Sequence, residues 1–342
     1  MITNRLAFLR ADASSTLGGG HIFRCLTLAD ALADSGWRCT FACKTGTRGV
    51  VPALGRSRHE LVVLHGPDES DFLQALRPSG ADLLVVDHYG LDTRLEAACR
   101  PWVRRILVID DGPGRDHDCD ILLDQNLGAD PSAYHGHVPD RCHLLLGPDF
   151  ALLRPQFSRA RDRALMRHLA KRPVQRLLIS LGAADPARLA SRVVAATAGL
   201  PLEIDVVLGS ASAQEQAIRE LASRLGLSVR VHVDVADMAA LMSAADLAVG
   251  AGGSTSWERC CLGLPSLIVV LAENQRDIAA CLDRAGAALD LGMADTVSNQ
   301  QLTAALQMLY QDERKRTAMA ERAAAICDGD GAKRVTEVLA NG

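Results

Sequence analysis

Short apolar runs alternate with helix-forming stretches along nearly the whole chain, and this alternation constrains the fold more than any other feature. Such alternation is typical of βαβ units, in which helices connect neighbouring parallel strands. The runs are aliphatic, because 48% of all residues are hydrophobic whereas only 4% are aromatic. Aliphatic runs suit strands that helices cover on both faces. The sequence therefore predicts an α/β protein with doubly wound parallel sheets.

The strand candidates form two sets, separated by an arginine-rich polar stretch from Arg154 to Arg172. The first set comprises Leu6–Leu9, Thr40–Ala42, Leu61–Leu64, Leu83–Val86, Ile106–Ile109, Ile121–Leu123 and His143–Leu146. The second set comprises Arg176–Ser180, Glu203–Leu208, Ser228–Val231, Leu247–Val249 and Ser266–Val270. Because 342 residues exceed one ordinary core, we predict two Rossmann-like domains, residues 1–155 and 156–342. The stretch from Asn299 to Leu339 is predicted to form helices. This division allows these C-terminal helices to pack back onto the first domain.

Charge and cysteine content limit the classes of partner and compartment. A formal net charge of −4 gives no general attraction for nucleic acid or for an anionic membrane. No apolar run reaches the length of a membrane span, and the ten cysteines contain no CxxC pair. Scattered cysteines among aliphatic residues suit a reducing compartment. We therefore predict a cytoplasmic monomer that binds a small molecule and neither nucleic acid nor membrane.

A glycine-rich turn joins the first predicted strand to the first predicted helix. Residues 18–20 are all glycine, and His21 follows them where the helix begins. Glycines let the backbone approach a ligand closely, and a helix start offers unbonded amides. Three polar residues also follow the strand that ends at Val86: Asp87, His88 and Tyr89. Because open α/β sheets bind ligands at the carboxyl ends of strands, His21 is either a catalytic base there or a structural histidine.

A second strand, glycine and helix sequence occurs in the other half of the chain. Residues 250–253 read Gly-Ala-Gly-Gly, and three hydroxyl residues follow at positions 254–256. These hydroxyls can cap the helix or donate to phosphate oxygens. Glu258, about one turn inside the helix, can accept two hydrogen bonds from a ribose diol. It can equally be the acidic member of a capping box, and the sequence leaves both interpretations open.

Two further polar segments bear on ligand and metal binding. The amides of Asn274 and Gln275, which follow a predicted strand, suit sugar hydroxyls or a phosphate. The segment from Asp110 to Asp120 is rich in Asp and contains His117 and Cys119. Its spacing matches no zinc or EF-hand pattern, and a turn built from Asx and Gly residues explains most of it. We therefore predict no metal and no cofactor.

Taken in order, these motifs resemble the UDP-2,4-diacetamido-2,4,6-trideoxy-β-L-altropyranose hydrolases of pseudaminic acid biosynthesis. The matching segments are Arg10–Asp12, Gly20–His21, Arg24–Leu26, Val86–Asp92, Asp110–Asp111, His117, Cys119–Asp120, Leu122–Asn126, Leu146–Pro148, Ala151–Arg154, Gly250–Gly263 and Asn274–Gln275. The similarity thus extends over nearly the whole chain.

The resemblance implies a GT-B architecture, with two Rossmann-like domains that face a cleft, and metal-independent removal of UDP by water. It implies inversion at the anomeric carbon, because water attacks from the face opposite UDP. The family's catalytic base falls on His21. Its sugar-binding residues fall on Gly20, Tyr89, Arg154, Asn274 and Gln275. Its UDP-binding residues fall on Gly252, Gly253, Ser254, Thr255 and Glu258.

The chain departs from the family pattern at two places. Gly19 stands where a Ser or Thr between two glycines is more frequent, and Ala183–Ala184 stand where a glycine pair is usual. Neither departure removes a reactive group. Two alternatives use the same fold and donor site, namely a glycosyltransferase with a UDP-amino sugar donor and a non-catalytic nucleotide-sugar binding protein.

Overall fold

The computed structural model describes residues 5–14, 17–66, 69–182, 188–209 and 214–341, so Ala183–Ala184 lie outside the described residues. The chain divides into two units. The N-terminal unit comprises residues 1–152 and 330–342, and the C-terminal unit comprises residues 153–329. The chain therefore passes from one unit to the other twice, once after Leu152 and once after Gly329.

The N-terminal unit contains a seven-stranded, fully parallel sheet with the order β3-β2-β1-β4-β5-β6-β7. Its strands are β1 (Arg5–Ala11), β2 (Trp37–Lys44), β3 (Glu60–Leu64), β4 (Ala81–Asp87), β5 (Val103–Ile109), β6 (Ile121–Asp124) and β7 (His143–Leu146). Its helices are α1 (Gly20–Asp34), α2 (Thr47–Val50), α3 (Pro52–Gly55), α4 (Glu69–Leu76), α5 (Thr93–Cys99) and the C-terminal α14 (Gly331–Asn341).

The C-terminal unit contains a six-stranded parallel sheet with the order β10-β9-β8-β11-β12-β13. Its strands are β8 (Arg176–Ser180), β9 (Glu203–Leu208), β10 (Ser228–Val233), β11 (Leu247–Ala251), β12 (Ser266–Val270) and β13 (Leu289–Met293). Its helices are α6 (Pro155–His168), α7 (Leu189–Ala196), α8 (Glu215–Leu225), α9 (Met238–Ala244), α10 (Thr255–Cys261), α11 (Arg276–Arg284), α12 (Asn299–Gln311) and α13 (Glu313–Ile326).

Apolar cores lie on both faces of the N-terminal sheet. Ala7 and Leu9 of β1 pack in the core that includes α1 and α14, whereas Phe8 packs in the core on the opposite face. Successive strand residues point to opposite faces, so a sheet that is covered twice needs apolar residues throughout. This arrangement explains the aliphatic runs.

The structure confirms the predicted α/β fold of two doubly wound parallel sheets, and all twelve strand candidates lie in strands. Strand β13 was not predicted, because its sequence LDLGM is half-exposed and its register with β12 is irregular. The arginine-rich stretch after Arg154 is mostly helix α6, which begins at Pro155, a favourable residue for a first helical position. No helix in the described part of the chain combines the length and hydropathy that crossing a bilayer requires.

In each sheet the strand order reverses beside the first strand of the unit. β1 lies between β2 and β4, and β8 lies between β9 and β11. At these points Ala11 pairs with Asp87, and Ser180 pairs with Gly250. Doubly wound sheets bind ligands where the strand order reverses, beyond the carboxyl ends of the strands. The selected segments around Gly20, Asp87 and Gly252 follow β1, β4 and β11 and therefore lie at these two points, whereas Asn274 and Gln275 follow the neighbouring strand β12.

Candidate active site

Helix α1 begins directly after the glycine-rich turn, with Gly20 as its first residue and Gly19 as its N-cap. A β-carbon at Gly19 would lie 2.8 Å from Val51 Cγ2 and 3.3 Å from Phe23 Cε2. Close packing thus favours glycine at this position, which gives a physical reason for the departure from the family pattern. His21, the second residue of α1, is buried with 7% of its surface exposed.

His21 forms a hydrogen-bonded pair with Asp87 at the end of β4. Its Nδ1 lies 2.5 Å from Asp87 Oδ1, and Asp87 is fully buried. A carboxylate oxygen only accepts, so the imidazole proton resides on Nδ1 and points to Asp87. Within the described residues no group bonds to Nε2, so this nitrogen is available to water or to a ligand. This arrangement, an imidazole oriented by a carboxylate, is that of a general base.

Arg24, one helical turn after His21, holds the other side of Asp87. Its Nε and Nη2 donate to the two Asp87 oxygens at 2.6 and 2.7 Å, and its Nη1 donates to Asp111 Oδ1 at 2.7 Å. Burial raises the pKa of Asp87, but Arg24 and His21 outweigh it and hold that pKa well below its usual range. Asp87 is therefore an ionised carboxylate without access to water, and it orients His21 instead of acting as a base.

His88 follows Asp87 but has neither ring nitrogen available. Its Nε2 lies 3.3 Å from Asp12 Oδ2, and its Nδ1 accepts a hydrogen bond from the Gly90 amide at 3.0 Å. Asp12 in turn accepts from Arg10 and from the Lys44 amide, so it joins the ends of β1 and β2. His88 is thus a structural residue of this turn, and His21 is the better candidate base.

Tyr89 lies beside His21, with its hydroxyl donating to Asp111 Oδ2 at 2.5 Å. The two rings meet edge to face, with centroids 4.7 Å apart. Arg115 lies over the Tyr89 ring at 5.8 Å and donates to the carbonyl oxygens of His88 and Leu91, which fixes the turn. Tyr89 remains 37% exposed, so it can contact a ligand.

The metal-like segment from Asp110 to Asp120 is an ion-pair network. His117 bonds to Glu96 at 2.7 Å and to Asp110 at 2.9 Å, and Arg100 pairs with Asp118 and Asp120. Each of these carboxylates already has a cationic partner. Burial lowers the pKa of His117, but Asp110 and Glu96 outweigh it and raise that pKa to about 9.

We expect the free energy of unfolding to depend on His117 at alkaline pH. Because its folded pKa of about 9 exceeds the unfolded value of about 6.5, its stabilisation is complete below pH 6.5. It is lost as pH rises through about 9. In urea unfolding series, His117→Gln should therefore show a pH dependence that is smaller by on the order of 2 kcal/mol between about pH 6 and pH 10. Parallel curves for wild type and variant would contradict this expectation.

In the C-terminal unit, Glu258 is the fourth residue of α10 and pairs with Arg154 across 3.5 Å. Burial raises the pKa of Glu258, and the two nearby cations, Arg154 and Arg259, oppose that shift. A capping-box residue occupies the third helical position, which is Trp257, and the N-cap Ser254 makes no side-chain capping bond. The capping-box interpretation of Glu258 is therefore wrong.

The hydroxyls at the start of α10 differ in their environment. Ser256 is buried and accepts from Arg259 at 3.0 Å, whereas Ser254 and Thr255 are only partly buried. Thr255 Oγ1 accepts a hydrogen bond from Arg259 at 3.2 Å, so the Thr255 hydroxyl proton can be donated to a ligand. A β-carbon at Gly250 would collide with the Arg259 guanidinium, so this glycine makes room for the cation.

Gln275 brings the loop after β12 against the glycines after β11. A β-carbon at Gly252 would lie 2.9 Å from the Gln275 carbonyl oxygen, and one at Gly253 would lie 3.8 Å from Gln275 Nε2. Gln275 Oε1 accepts from the Leu271 amide at 3.0 Å, which orients the Nε2 group. Asn274 is exposed in the same 3₁₀ turn, Glu273–Gln275.

The structure thus gathers the selected residues into one group in each unit. Gly20, His21 and Tyr89 lie together in the N-terminal unit, whereas the C-terminal unit holds the other selected residues: Arg154, Gly252, Gly253, Ser254, Thr255, Glu258, Asn274 and Gln275. Arg24 and Asp111 were not assigned a role from the sequence. The three-residue spacing of His21 and Arg24, which places both on one face of α1, is the signal that could have indicated the first of them.

Comparison with known proteins found one family model and several relatives to which this chain is similar. Residues 180–335 match the family described as glycosyltransferase family 28 C-terminal domain. The chain is 27% identical over 335 residues to the spore coat polysaccharide biosynthesis protein SpsG of Bacillus subtilis, with 96% of each chain covered. It is 25% identical over 280 residues to the UDP-2,4-diacetamido-2,4,6-trideoxy-beta-L-altropyranose hydrolase of Campylobacter jejuni, covering 81% of this chain and 96% of that protein.

Among solved structures, MurG of Acinetobacter baumannii aligns with a TM-score of 0.73 at 16% identity, covering 99% of this chain and 100% of that chain. This likeness shows the fold, which is of the GT-B class that the resemblance implied. The similarity to the Campylobacter jejuni hydrolase confirms the resemblance that the motifs indicated.

Proposed function

We propose that the protein is a metal-independent hydrolase that removes UDP from UDP-2,4-diacetamido-2,4,6-trideoxy-β-L-altropyranose or a close UDP-diacetamido sugar. One observation carries the proposal: His21 has one ring nitrogen held by Asp87 and the other available to accept a proton. The similarity to the Campylobacter jejuni hydrolase supports it, because 280 aligned residues exceed the whole C-terminal unit, residues 153–329. That similarity must include part of the unit that carries His21.

UDP would bind to the C-terminal unit. The Glu258 carboxylate suits a ribose diol, since it is partly buried and its hydrogen bond from Arg154 leaves acceptor sites available. The Thr255 hydroxyl proton, turned outward by the bond from Arg259, suits a phosphate oxygen. Ser254, Gly252 and Gly253 lie next to it in the chain. Arg154, Asn274 and Gln275 would contribute cationic and amide donors to the sugar or the phosphates.

The reaction would be a direct displacement by water. As His21 Nε2 takes the proton of the attacking water, a bond forms between that oxygen and the anomeric carbon, and the bond from this carbon to the β-phosphate oxygen breaks. Attack from the face opposite UDP inverts the anomeric centre. Oriented donors stabilise the charge that develops on the leaving diphosphate, and Tyr89 and Gly20 would help to place the sugar.

A glycosyltransferase is the second candidate, because residues 180–335 match a glycosyltransferase family. A non-catalytic nucleotide-sugar binding protein is the third. Incubation with a panel of UDP-diacetamido sugars, with and without a sugar acceptor, distinguishes them. Release of UDP and free reducing sugar without acceptor supports the hydrolase, and proton NMR of the first-formed anomer tests inversion. Turnover only with acceptor indicates a transferase, whereas binding without turnover indicates a binding protein.

The expected setting is the biosynthesis of pseudaminic acid in the cytoplasm, with the protein acting as a monomer on a small molecule. The ten cysteines are scattered along the sequence without a CxxC pair, which suits a reducing compartment. The formal net charge of −4 argues against nucleic acid as a partner.

Hydrolysis is expected to survive exhaustive treatment with EDTA. Three acidic residues of the segment that resembled a metal site, Asp110, Asp118 and Asp120, are already paired with His117, Arg115 and Arg100. The rate of UDP release should therefore stay within about twofold of the untreated rate. Removal of a catalytic Lewis acid would lower the rate much more, because such an ion contributes several kcal/mol of transition-state stabilisation. Loss of turnover that magnesium or manganese restores would contradict the metal-independent mechanism.

A further inference from the structure

Arg24 lies between two carboxylates, each of which holds a different residue of the proposed sugar site. We propose that Arg24 is a positioning residue that holds Asp87 against His21 and fixes Tyr89 through Asp111. The inference rests on the proposed role of His21 as the base. In this role Arg24, which is buried, influences the protonation of His21 and the position of Tyr89.

The geometry of the guanidinium supports a positioning role. Arg24 is only 6% exposed, and it donates two bonds to Asp87 and two to Asp111, at 2.6 to 3.2 Å. A planar guanidinium has donors in fixed directions, so it holds two carboxylates at a fixed separation. Asp87 binds His21, and Asp111 binds the Tyr89 hydroxyl at 2.5 Å. Arg24 therefore fixes the supports of both rings, whose centroids lie 4.7 Å apart.

The charge of Arg24 has a separate effect on His21. The ionisable groups around the imidazole are Asp87 from β4, Tyr89 after β4, Arg24 from α1 and, through Arg24, Asp111 after β5. The Cys25 thiol, 3.6 Å from Asp87 Oδ2, stays neutral because burial raises its pKa. Arg24 offsets one of the two negative charges in this cluster. Without it, both carboxylates would attract a proton to the imidazole, and a protonated His21 cannot act as a base.

The experiment compares Arg24→Gln, which removes the charge, with Arg24→Lys, which keeps the charge but not the planar fork. Imidazole nitrogens are observed by NMR in protein labelled with ¹⁵N-histidine, and the His21 signals are assigned by their absence from His21→Gln. The same samples give kcat as a function of pH. Two readouts thus follow the protonation state of His21, and the NMR readout needs no substrate.

In Arg24→Gln we expect His21 to remain protonated on both nitrogens to a higher pH than in wild type. The acid limb of the kcat profile should move up by about one pH unit or more, the usual effect of one neighbouring charge. At neutral pH, kcat should fall at least about tenfold. In Arg24→Lys the acid limb should stay near that of wild type, while kcat falls because the fork is lost.

Arg100→Gln is the matched control. Arg100 also bridges two carboxylates, Asp118 and Asp120, in the same unit, and in the described structure it makes no bond to His21 or Asp87. The same chemical change there should leave the His21 signals and the acid limb unchanged. If Arg100→Gln shifts them as Arg24→Gln does, the effect is not specific, and the inference is overturned.

A wild-type His21 titration and acid limb in folded Arg24→Gln would also overturn the inference, even if its activity were low. If Arg24→Gln does not fold, the test depends on Arg24→Lys. A wild-type kcat in Arg24→Lys would exclude positioning by the planar guanidinium. The outcomes separate this inference from the proposed function. If the His21 signals change as expected while His21→Gln retains its kcat, Arg24 controls the imidazole, but His21 is not the base.

Discussion

Replacement of His21 by Gln is expected to lower kcat by roughly 10²- to 10⁴-fold, the usual contribution of a general base. Glutamine can still bond to Asp87, so the buried carboxylate keeps a partner, but its amide cannot accept a proton as the imidazole can. The affinity for UDP should change little, because the proposed nucleotide site is in the C-terminal unit. Initial rates of UDP release give kcat, and calorimetric titration with UDP gives the affinity.

His88→Gln is the natural control for this measurement. His88 is also close to Asp87, but Asp12 and the Gly90 amide bond to its two nitrogens. Its replacement should therefore reduce kcat much less than the loss of His21 does. A His21→Gln enzyme with near-normal kcat would eliminate the assignment of the base. His88 or Asp87 would then be the next candidate base, although the polar atoms of both residues already form hydrogen bonds.

The second large effect is expected at Glu258, in binding and not in the chemical step. Glu258→Ala should weaken UDP binding by about 1.5–3 kcal/mol, the usual value of hydrogen bonds to a charged group. Because the carboxylate would contact the ribose, uridine and UDP should lose affinity by the same factor. The variant should remain folded, since burial raises the pKa of Glu258 and its carboxylate is therefore costly to bury.

Glu273→Ala tests whether the loss at Glu258 is specific. Glu273 lies in the turn before Asn274, and its side chain is exposed and paired with Arg276. Removing this surface pair should change UDP affinity only slightly. Unchanged UDP affinity in a destabilised Glu258→Ala protein would instead assign Glu258 a structural role as the partner of Arg154.

Sequence patterns predicted the fold well because its strands are buried on both faces. In a parallel strand such as β4 the buried run Leu83–Val86 is apolar throughout, and the polar Asp87 directly after that run marks the ligand-binding end of the sheet. Strand β13 escaped prediction because it lies at the edge, where partial exposure permits Asp290 and Gly292. Its sequence thus lacks the continuous apolar run on which the prediction depended.

The connections within the candidate site were less accessible to sequence reasoning. His21 and Tyr89 could be selected from their positions after strands, but the pairing of His21 with Asp87 joins residues 66 positions apart. Similarly, the choice between the two roles of Glu258 depended on a shift of one position in the start of helix α10. Helix α10 begins at Thr255, so Glu258 is the fourth helical residue and not the third. Helix boundaries at this precision follow from tertiary packing, which local patterns do not record.

Helix α14 completes the N-terminal unit, since Val335 and Leu339 are fully buried in the same core as β1 and α1. A ribosome makes residues 153–329 before these two side chains, so the C-terminal unit has its whole sequence while the other core still lacks a helix. Domains generally fold during synthesis in the order in which they emerge. Here that order is reversed at its end, because the unit that emerges first can bury its last apolar face only after α14, which follows the whole C-terminal unit, has been made.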